Sequence, residues 1–275
     1  MRKMFEGFLD AMWRDDDLLR TTGGVAMNTK ILVFGDVHIP FQDEDAVNLI
    51  FKFIKKVQPD VIVINGDLID FFAISKWDKG LGEGKTVKEE LEETRSFLEK
   101  LVAVSKASPI YYIFGNHEIR LEKYLIRNAK EISDLVKLEE LLRLKELGII
   151  PICTNRVENY VKIGNWYIGH FNRVSKHSAY TVKNIIADRG VNVIQAHVHR
   201  LGMHYVTFMD RTVCGIEGGC LCDINPKYVV NPNWQQGIVV IENYGHYSKS
   251  SVQLIELKDE GKKKVLYFHG DRFST

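Results

Sequence analysis

Asp36 and His38 stand one residue apart, directly after the apolar run 31–34 and Gly35. A carboxylate and an imidazole placed so can bind a metal ion, act as a catalytic pair, or form only a polar turn. The pattern recurs. Residues 61–64 run into Asn65-Gly66-Asp67, and residues 110–114 into Gly115-Asn116-His117-Glu118. Farther on, residues 166–169 deliver His170, and residues 191–196 deliver His197-Val198-His199. Singly, each of these histidines reads as an ordinary satisfied polar residue; the repetition gives the set its meaning. Mixed imidazole and carboxylate suits borderline or harder divalent ions such as manganese, iron, zinc or nickel. Two ions about 3.5–4 Å apart need roughly this many ligands, with one carboxylate shared between them. His-x-His on an extended segment presents both rings on one face, because the strand period is two.

The elements that must position these groups follow from periodicity. The run 31–34, branched and aromatic and ended by glycine, reads as a buried parallel strand. In open α/β sheets ligands gather at the carboxyl ends of such strands. Residues 43–57 carry apolar side chains at 46, 47, 50, 51, 54 and 57, an amphipathic helix stopped before Pro59. A long charged helix is expected over about 87–106, and further helices within 119–147. After Pro151 the pattern shifts to short strands, with a hairpin of 160–163 and 166–169 around Gly164-Asn165 and a helix over about 176–189. Strands are expected at 203–208, 211–217, 236–242, 251–257 and 264–268. Residues 1–26 read as a separate helical extension, with Phe5, Phe8, Leu9, Met12 and Trp13 at helical spacing before Gly23-Gly24. That extension packs on its own domain or contacts a partner; residues 27–275 form the main domain.

In order, Asp-x-His, Gly-Asp-x-x-Asp, Gly-Asn-His-Glu, an isolated histidine and His-x-His resemble the calcineurin-like metallophosphoesterases. The runs Gly219-Cys-Leu-Cys-Asp-Ile-Asn-Pro and Asn231-Pro-Asn-Trp-Gln-Gln-Gly are similar to phage and prophage members of that family. The resemblance implies a four-layer α-β-β-α sandwich of two mixed sheets, with a dimetal site at the strand ends. It assigns Asp36, His38, Asp67 and His199 to the first metal. Asp67, Asn116, His170 and His197 go to the second, with Asp67 bridging and manganese the favoured ion. His117 is left outside both shells as general acid to the leaving alkoxide. Asp70 is expected to accept a hydrogen bond from His117 and raise its pKa; the plainer alternative is a turn or helix-capping aspartate.

Departures from the family pattern bear on substrate. Where protein serine/threonine phosphatases carry a phosphate-binding arginine, this chain has Phe71, so a phosphoprotein fits less well. Arg120 is a candidate replacement. Phe171 and Ala196 stand where many relatives have glycine and affect backbone room more than ligation. The candidate rim comprises residues 71–86 with Lys76 and Trp77, together with Arg173, Lys176 and Arg200; His177 reads as a structural or exposed histidine, with lining the pocket as the alternative. Aromatic and basic groups suit a nucleotide or single-stranded nucleic acid through stacking and phosphate attraction; the alternative is a solvated loop with a packed tryptophan. Phosphodiester hydrolysis is therefore the favoured expectation. A phosphomonoesterase acting on small molecules or phosphoproteins is the alternative, and a non-catalytic scaffold the third reading.

Composition narrows the field. With 37 basic and 36 acidic residues among 275, no global field calls for a polyanion or a membrane surface. No apolar run approaches the roughly 18 residues of a membrane span, and residues 1–10 do not read as a secretory signal. The 4 cysteines are too few and uneven for a disulfide framework, and Cys220-x-Cys222 is too close for the usual zinc knuckle. Reduced thiols in a cytoplasmic compartment are expected.

Overall fold

Side chains of β1 (Thr29–Phe34) alternate between two apolar layers: Ile31 and Val33 face one, Leu32 and Phe34 the other. The structure, a computed structural model, describes residues 29–76, 84–153, 158–226, 231–243 and 250–275. The expected helical extension 1–26 and the rim residue Trp77 lie outside the described residues. β1 runs parallel to β2 (Val61–Asn65) and antiparallel to β10 (Gly237–Asn243). With β3 (Ile110–Ile113), β4 (Ile149–Ile152) and β11 (Ser250–Glu256) they form a sheet of order β11-β10-β1-β2-β3-β4.

The second sheet contains β5 (Tyr160–Ile163), β6 (Trp166–Gly169), β7 (Asn192–Gln195), β8 (Leu201–Thr207) and β9 (Thr212–Gly218). Its order is β5-β6-β7-β9-β8. Ile31, Val33, Val63 and Ile113 from the first sheet meet Ile163, Ile168, Ile194 and Ile216 from the second in one buried cluster. Helices α1 (Glu44–Val57) and α2 (Val87–Val104) cover the outer face of the first sheet. After α3 (Glu118–Asn128) and the single turn α4 (Leu138–Leu141), α5 (Tyr180–Arg189) covers the second through Ile185 and Ile186. This is the expected α-β-β-α order.

Local signals explain the helix ends. Asp43 accepts from the Ala46 N–H at 2.9 Å and starts α1, with acidic residues in its first turn and lysines in its last. Thr86 and Glu89 form a capping box at the start of α2.

Two expectations need correction, and one strand is added. The helix expected from Lys176 begins only at Tyr180. Ala179 is in the left-handed region at φ 65°, and the buried Glu217 carboxylate of β9 accepts from the N–H groups of Ala179 and Thr181. A carboxylate distant in sequence thus fixes where the helix starts. Beyond Asn128 the expected further helices shrink to a 3₁₀ turn at Lys130–Ile132 and the single turn α4. Pro151 lies within β4, a strand absent from the expected set, which borders the first sheet, the edge position a strand proline needs.

A three-stranded sheet of β12 (Lys258–Glu260), β13 (Lys263–Phe268) and β14 (Asp271–Ser274) packs on α1. Fully buried Phe53 of α1 meets the rings of Phe268 and Phe273 at 5.3 and 5.2 Å between centroids. Phe53→Ala is expected to lower the unfolding free energy by about 3–5 kcal/mol, measured by urea denaturation.

Candidate metal centre

Because β1, β2 and β3 are mutually parallel, their carboxyl ends reach one edge of the first sheet. β6 and β7 are parallel too, and deliver His170 and the His197–His199 segment at the carboxyl edge of the second. The loops leaving β1 and β2 are stitched together: Asp36 N–H donates to Gly66 O, and Val37 and His38 N–H both donate to Asp67 O, each at 3.0 Å. Two glycines make room. A Cβ on Gly115 would stand 2.3 Å from Asp67 Oδ1, and one on Gly66, at φ 83°, would stand 2.5 Å from His170 Nδ1.

Backbone strain concentrates at the same place. Asp36, His38, Asp67, His197 and His199 have φ of 49°, 54°, 49°, 75° and 56°. Each such non-glycine residue costs on the order of 1–3 kcal/mol and persists only where its surroundings over-determine it. Aspartate and histidine tolerate the region better than branched residues do, but five so close together mark a site where geometry outranks local preference.

Asp36, His38 and His199 form the first cluster, with ligating atoms within 4.8 Å of one another. The two Nε2 atoms of His38 and His199 face each other at 3.0 Å. His38 Nδ1 donates to Asp70 Oδ2 at 2.9 Å, and His199 Nδ1 lies 3.8 Å from Cys222 Sγ. Burial lowers the pKa of both rings, with neighbouring imidazolium charge adding to it. With its Nδ1 proton given to Asp70, His38 turns an Nε2 lone pair toward the His199 ring, a place that a shared cation suits. Beside them Asp36 Oδ1 is buried without a hydrogen-bond partner, 3.7 Å from His199 Nε2 and 3.9 Å from His38 Nε2. Asp36 Oδ2 accepts from His197 N–H at 2.7 Å. Burial pushes the Asp36 carboxyl up to about 8, against the pull of His170 and with the charge of Asp67 adding. The donor set fits a divalent cation.

The second cluster joins Asp67, His170 and His197. His170 Nε2 is 3.1 Å from Asp67 Oδ2, 3.1 Å from Asn116 Oδ1 and 3.2 Å from His197 Nδ1. His170 Nδ1 donates to Asn65 O at 3.1 Å. Burial opposes charge on His170, but the Asp67 carboxylate raises it to about 10. Burial and that imidazolium push His197 down to about 4. Burial would raise Asp67, yet the imidazoles of His117 and His170 hold it well below the usual carboxylate range.

His117 stands outside these two clusters but forms a further potential ligand group with His38 and Asp70. Its N–H donates to Asp67 Oδ1 at 2.9 Å, and its Nδ1 lies 3.0 Å from Asp70 O and 3.2 Å from Asp70 Oδ2. Burial lowers its pKa, but the carboxylates of Asp67 and Asp70 raise it more. Asp70 therefore touches both His117 and His38, the second contact unforeseen from the sequence. Arg120 Nη1 donates to Asp70 O at 3.0 Å, and Nη2 to His117 Nε2 at 2.8 Å, so that nitrogen carries the lone pair here.

The candidate rim divides. Arg200 is buried, not exposed as a rim residue would be, and its guanidinium donates to the carbonyls of Ser175 and Lys176. Arg173 pairs with Asp188 and Glu158. Lys76, Lys176 and His177 are exposed. The sequence reading gave no role to Glu118, although it closes the Gly-Asn-His-Glu motif. Its buried carboxylate accepts from the N–H groups of Asp67, Leu68 and Gly115 and from the Tyr112 hydroxyl, at 2.7–2.9 Å. Trp234, 4.4 Å from the His199 ring, also went unassigned, as did Cys222 and Glu90. A buried acid after a strand was a readable signal at Glu118; the other three contacts span distances that no local pattern encodes.

The model of the calcineurin-like phosphoesterase family matches residues 29–206. The gene 54 proteins of Mycobacterium phages D29 and L5 are 31% and 30% identical over 240 residues, covering 81% of this chain and 92% of each relative. Among solved structures, Vps29 of Chaetomium thermophilum is similar over 90% of this chain and 97% of its own, at 13% identity and a TM-score of 0.46. Zinc-complexed Vps29 of Entamoeba histolytica gives the same coverage at 12% identity and a TM-score of 0.43. This chain belongs to the calcineurin-like phosphoesterase family, which implies divalent metal ions and phosphoester substrates.

Glu90 of α2 supports the loop below Asp70, accepting from Ala73 N–H at 3.0 Å. Burial, with the charge of Asp70, raises its carboxyl to about 7. An acid raised in the fold binds its proton more tightly folded than unfolded. Its stabilising contribution is therefore full below its ordinary value of 4.5 and is lost as pH rises through about 7. Glu90→Gln is expected to flatten that part of the stability–pH curve, read from urea midpoints at successive pH values; an unchanged slope would contradict it.

Proposed function

We propose that this chain hydrolyses phosphoesters with two divalent cations. Asp36, His38, Asp67 and His199 would hold the first, and Asp67, Asn116, His170 and His197 the second. One observation carries this reading: the Nε2 atoms of His38 and His199 facing at 3.0 Å beside the unpartnered Asp36 Oδ1. Manganese is favoured, with iron, zinc and nickel as alternatives, because imidazole and carboxylate together suit that range. Bound there, the cations would neutralise phosphate oxygens and lower the pKa of water toward about 7.

The protein's own residues do the rest. Asp67 would bridge the two cations: its Oδ2 lies 3.1 Å from His170 Nε2 and 3.9 Å from His38 Nε2, and its backbone is held by Glu118. Asp70 orients His117 through Nδ1, leaving Nε2 to carry a proton to the leaving alkoxide. That role requires Nε2 to exchange Arg120 for the substrate, and frees Arg120 to meet a phosphate oxygen. General acid catalysis of this kind contributes about 10²–10⁴-fold.

Phosphodiesters are the favoured substrates. Among the described residues, the engagement of Arg173 and Arg200, and of Lys85 by Glu93, leaves Lys76 and Lys176 as exposed cations of the expected rim. Two such cations suit the phosphate of a nucleotide-sized diester. The four free thiols accord with a reducing, cytoplasmic setting.

With manganese added, bis-p-nitrophenyl phosphate and nucleotide diesters should turn over faster than p-nitrophenyl phosphate; turnover of the monoester alone defeats the diester preference. Asp67→Asn is expected to lose both metals and activity together, measured by metal analysis and the same assay. Turnover by the wild type and not by this variant excludes the scaffold reading. His117→Ala should keep its metals and slow esters with poor leaving groups by about 10²–10⁴-fold, while activated esters slow far less. Equal losses on both would remove His117 from the acid role.

A further inference from the structure

The run 219–223 has no part in the reading above, yet it is tied to two members of the first cluster. Leu221 and Cys222 donate their N–H groups to the Asp36 carbonyl at 3.0 and 3.1 Å. Cys222 Sγ stands 3.8 Å from His199 Nδ1, on the opposite side of that ring from the Nε2 that faces His38. Cys222 is 3% exposed, bridges Gln42 through its backbone, and receives Gln236 Nε2 on its carbonyl at 2.8 Å. Its sulfur is therefore fixed in place.

We propose that Cys222 is a positioning residue for the first metal, its sulfur accepting the Nδ1 proton of His199 so that Nε2 is presented unprotonated. This inference rests on the metal-centre reading of the preceding section. In a neutral imidazole the proton sits on the nitrogen that faces an acceptor, and the other nitrogen becomes the ligand. His38 follows the same rule with Asp70 as acceptor at 2.9 Å. The cluster thus holds one imidazole with a carboxylate and the other with a sulfur. Attachment of residues 221 and 222 to the Asp36 carbonyl makes the arrangement more than a single contact, because one short segment sets two ligands relative to each other. Cys220 is the competing sulfur: it lies with Cys222 and His199 in one group whose ligand atoms are within 4.8 Å of one another, but its Sγ donates to the Gln235 carbonyl at 3.5 Å.

The test is manganese titration of the full chain, with bound metal counted directly, for the wild type, Cys222→Ala, Cys222→Ser and Cys220→Ala. Removing an outer partner of a metal-bound histidine weakens binding by about 10–100-fold. Cys222→Ala is expected to show that loss for one of two ions, Cys222→Ser to recover most of it through its hydroxyl, and Cys220→Ala to bind as the wild type does. If the alanine variant fails to fold, Cys222→Val, which fills the space without an acceptor, replaces it. Nitrogen NMR of His199 should show Nδ1 protonated in the wild type and a shifted tautomer in Cys222→Ala. The inference is overturned if Cys222→Ala binds two ions as tightly as the wild type, if Cys220→Ala loses as much, or if serine restores nothing. A wild type that takes up no metal overturns the underlying reading as well, so the two failures are distinct.

Discussion

The carboxylate of Asp67 is the point from which the rest of the site is arranged. Its Oδ2 lies 3.1 Å from His170 Nε2, 3.7 Å from His117 Nε2 and 3.9 Å from His38 Nε2. Three imidazoles from three chain segments converge on one oxygen. Such a group cannot be buried without compensation, and the fold supplies it. Asp67 is held in its charged form by those rings, while Asp36 a few ångströms away is pushed toward neutrality by burial. Two carboxylates in one dry pocket are driven apart in acidity, and a cation would relieve both.

That arrangement sets local geometry against global packing. Five residues with left-handed backbone would together cost several kcal/mol, a sizeable share of the roughly 5–15 kcal/mol by which domains are stable. The compensation is visible in the bonds between the β1 and β2 loops and in Glu118, whose single carboxylate gathers five donors. Buried polar networks of this kind stabilise only when nearly complete. The unpartnered Asp36 Oδ1 therefore stands out against the saturation around it.

The parts readable from sequence were those with local causes. Strands β1, β2 and β3 show as apolar runs closed by glycine, and α1 as a 3.6-residue stripe stopped before a proline, because such patterns act within a few residues. The order of polar groups at the strand ends was readable for the same reason. What escaped depends on distance. The start of α5 is decided by Glu217, the second partner of Asp70 is His38, and the arginines expected at the rim are engaged by Asp188, Glu158 and loop carbonyls. β4 was hidden by its own proline, which a strand accepts only at a border. β12 and β14 are too short to show a period at all.

The first cluster takes Asp36 and His38 from one sheet and His199 from the other, 161 positions along the chain from His38. A cation held there would act as a clasp between the two halves of the sandwich. It closes a long loop that no disulfide spans, since every cysteine is a free thiol. The unfolded chain offers no such grouping, so occupancy would stabilise the docked halves by mass action. The sandwich and its clasp would then assemble as one event: ions would enter only a chain whose sheets had already met, and leave only as the sheets parted.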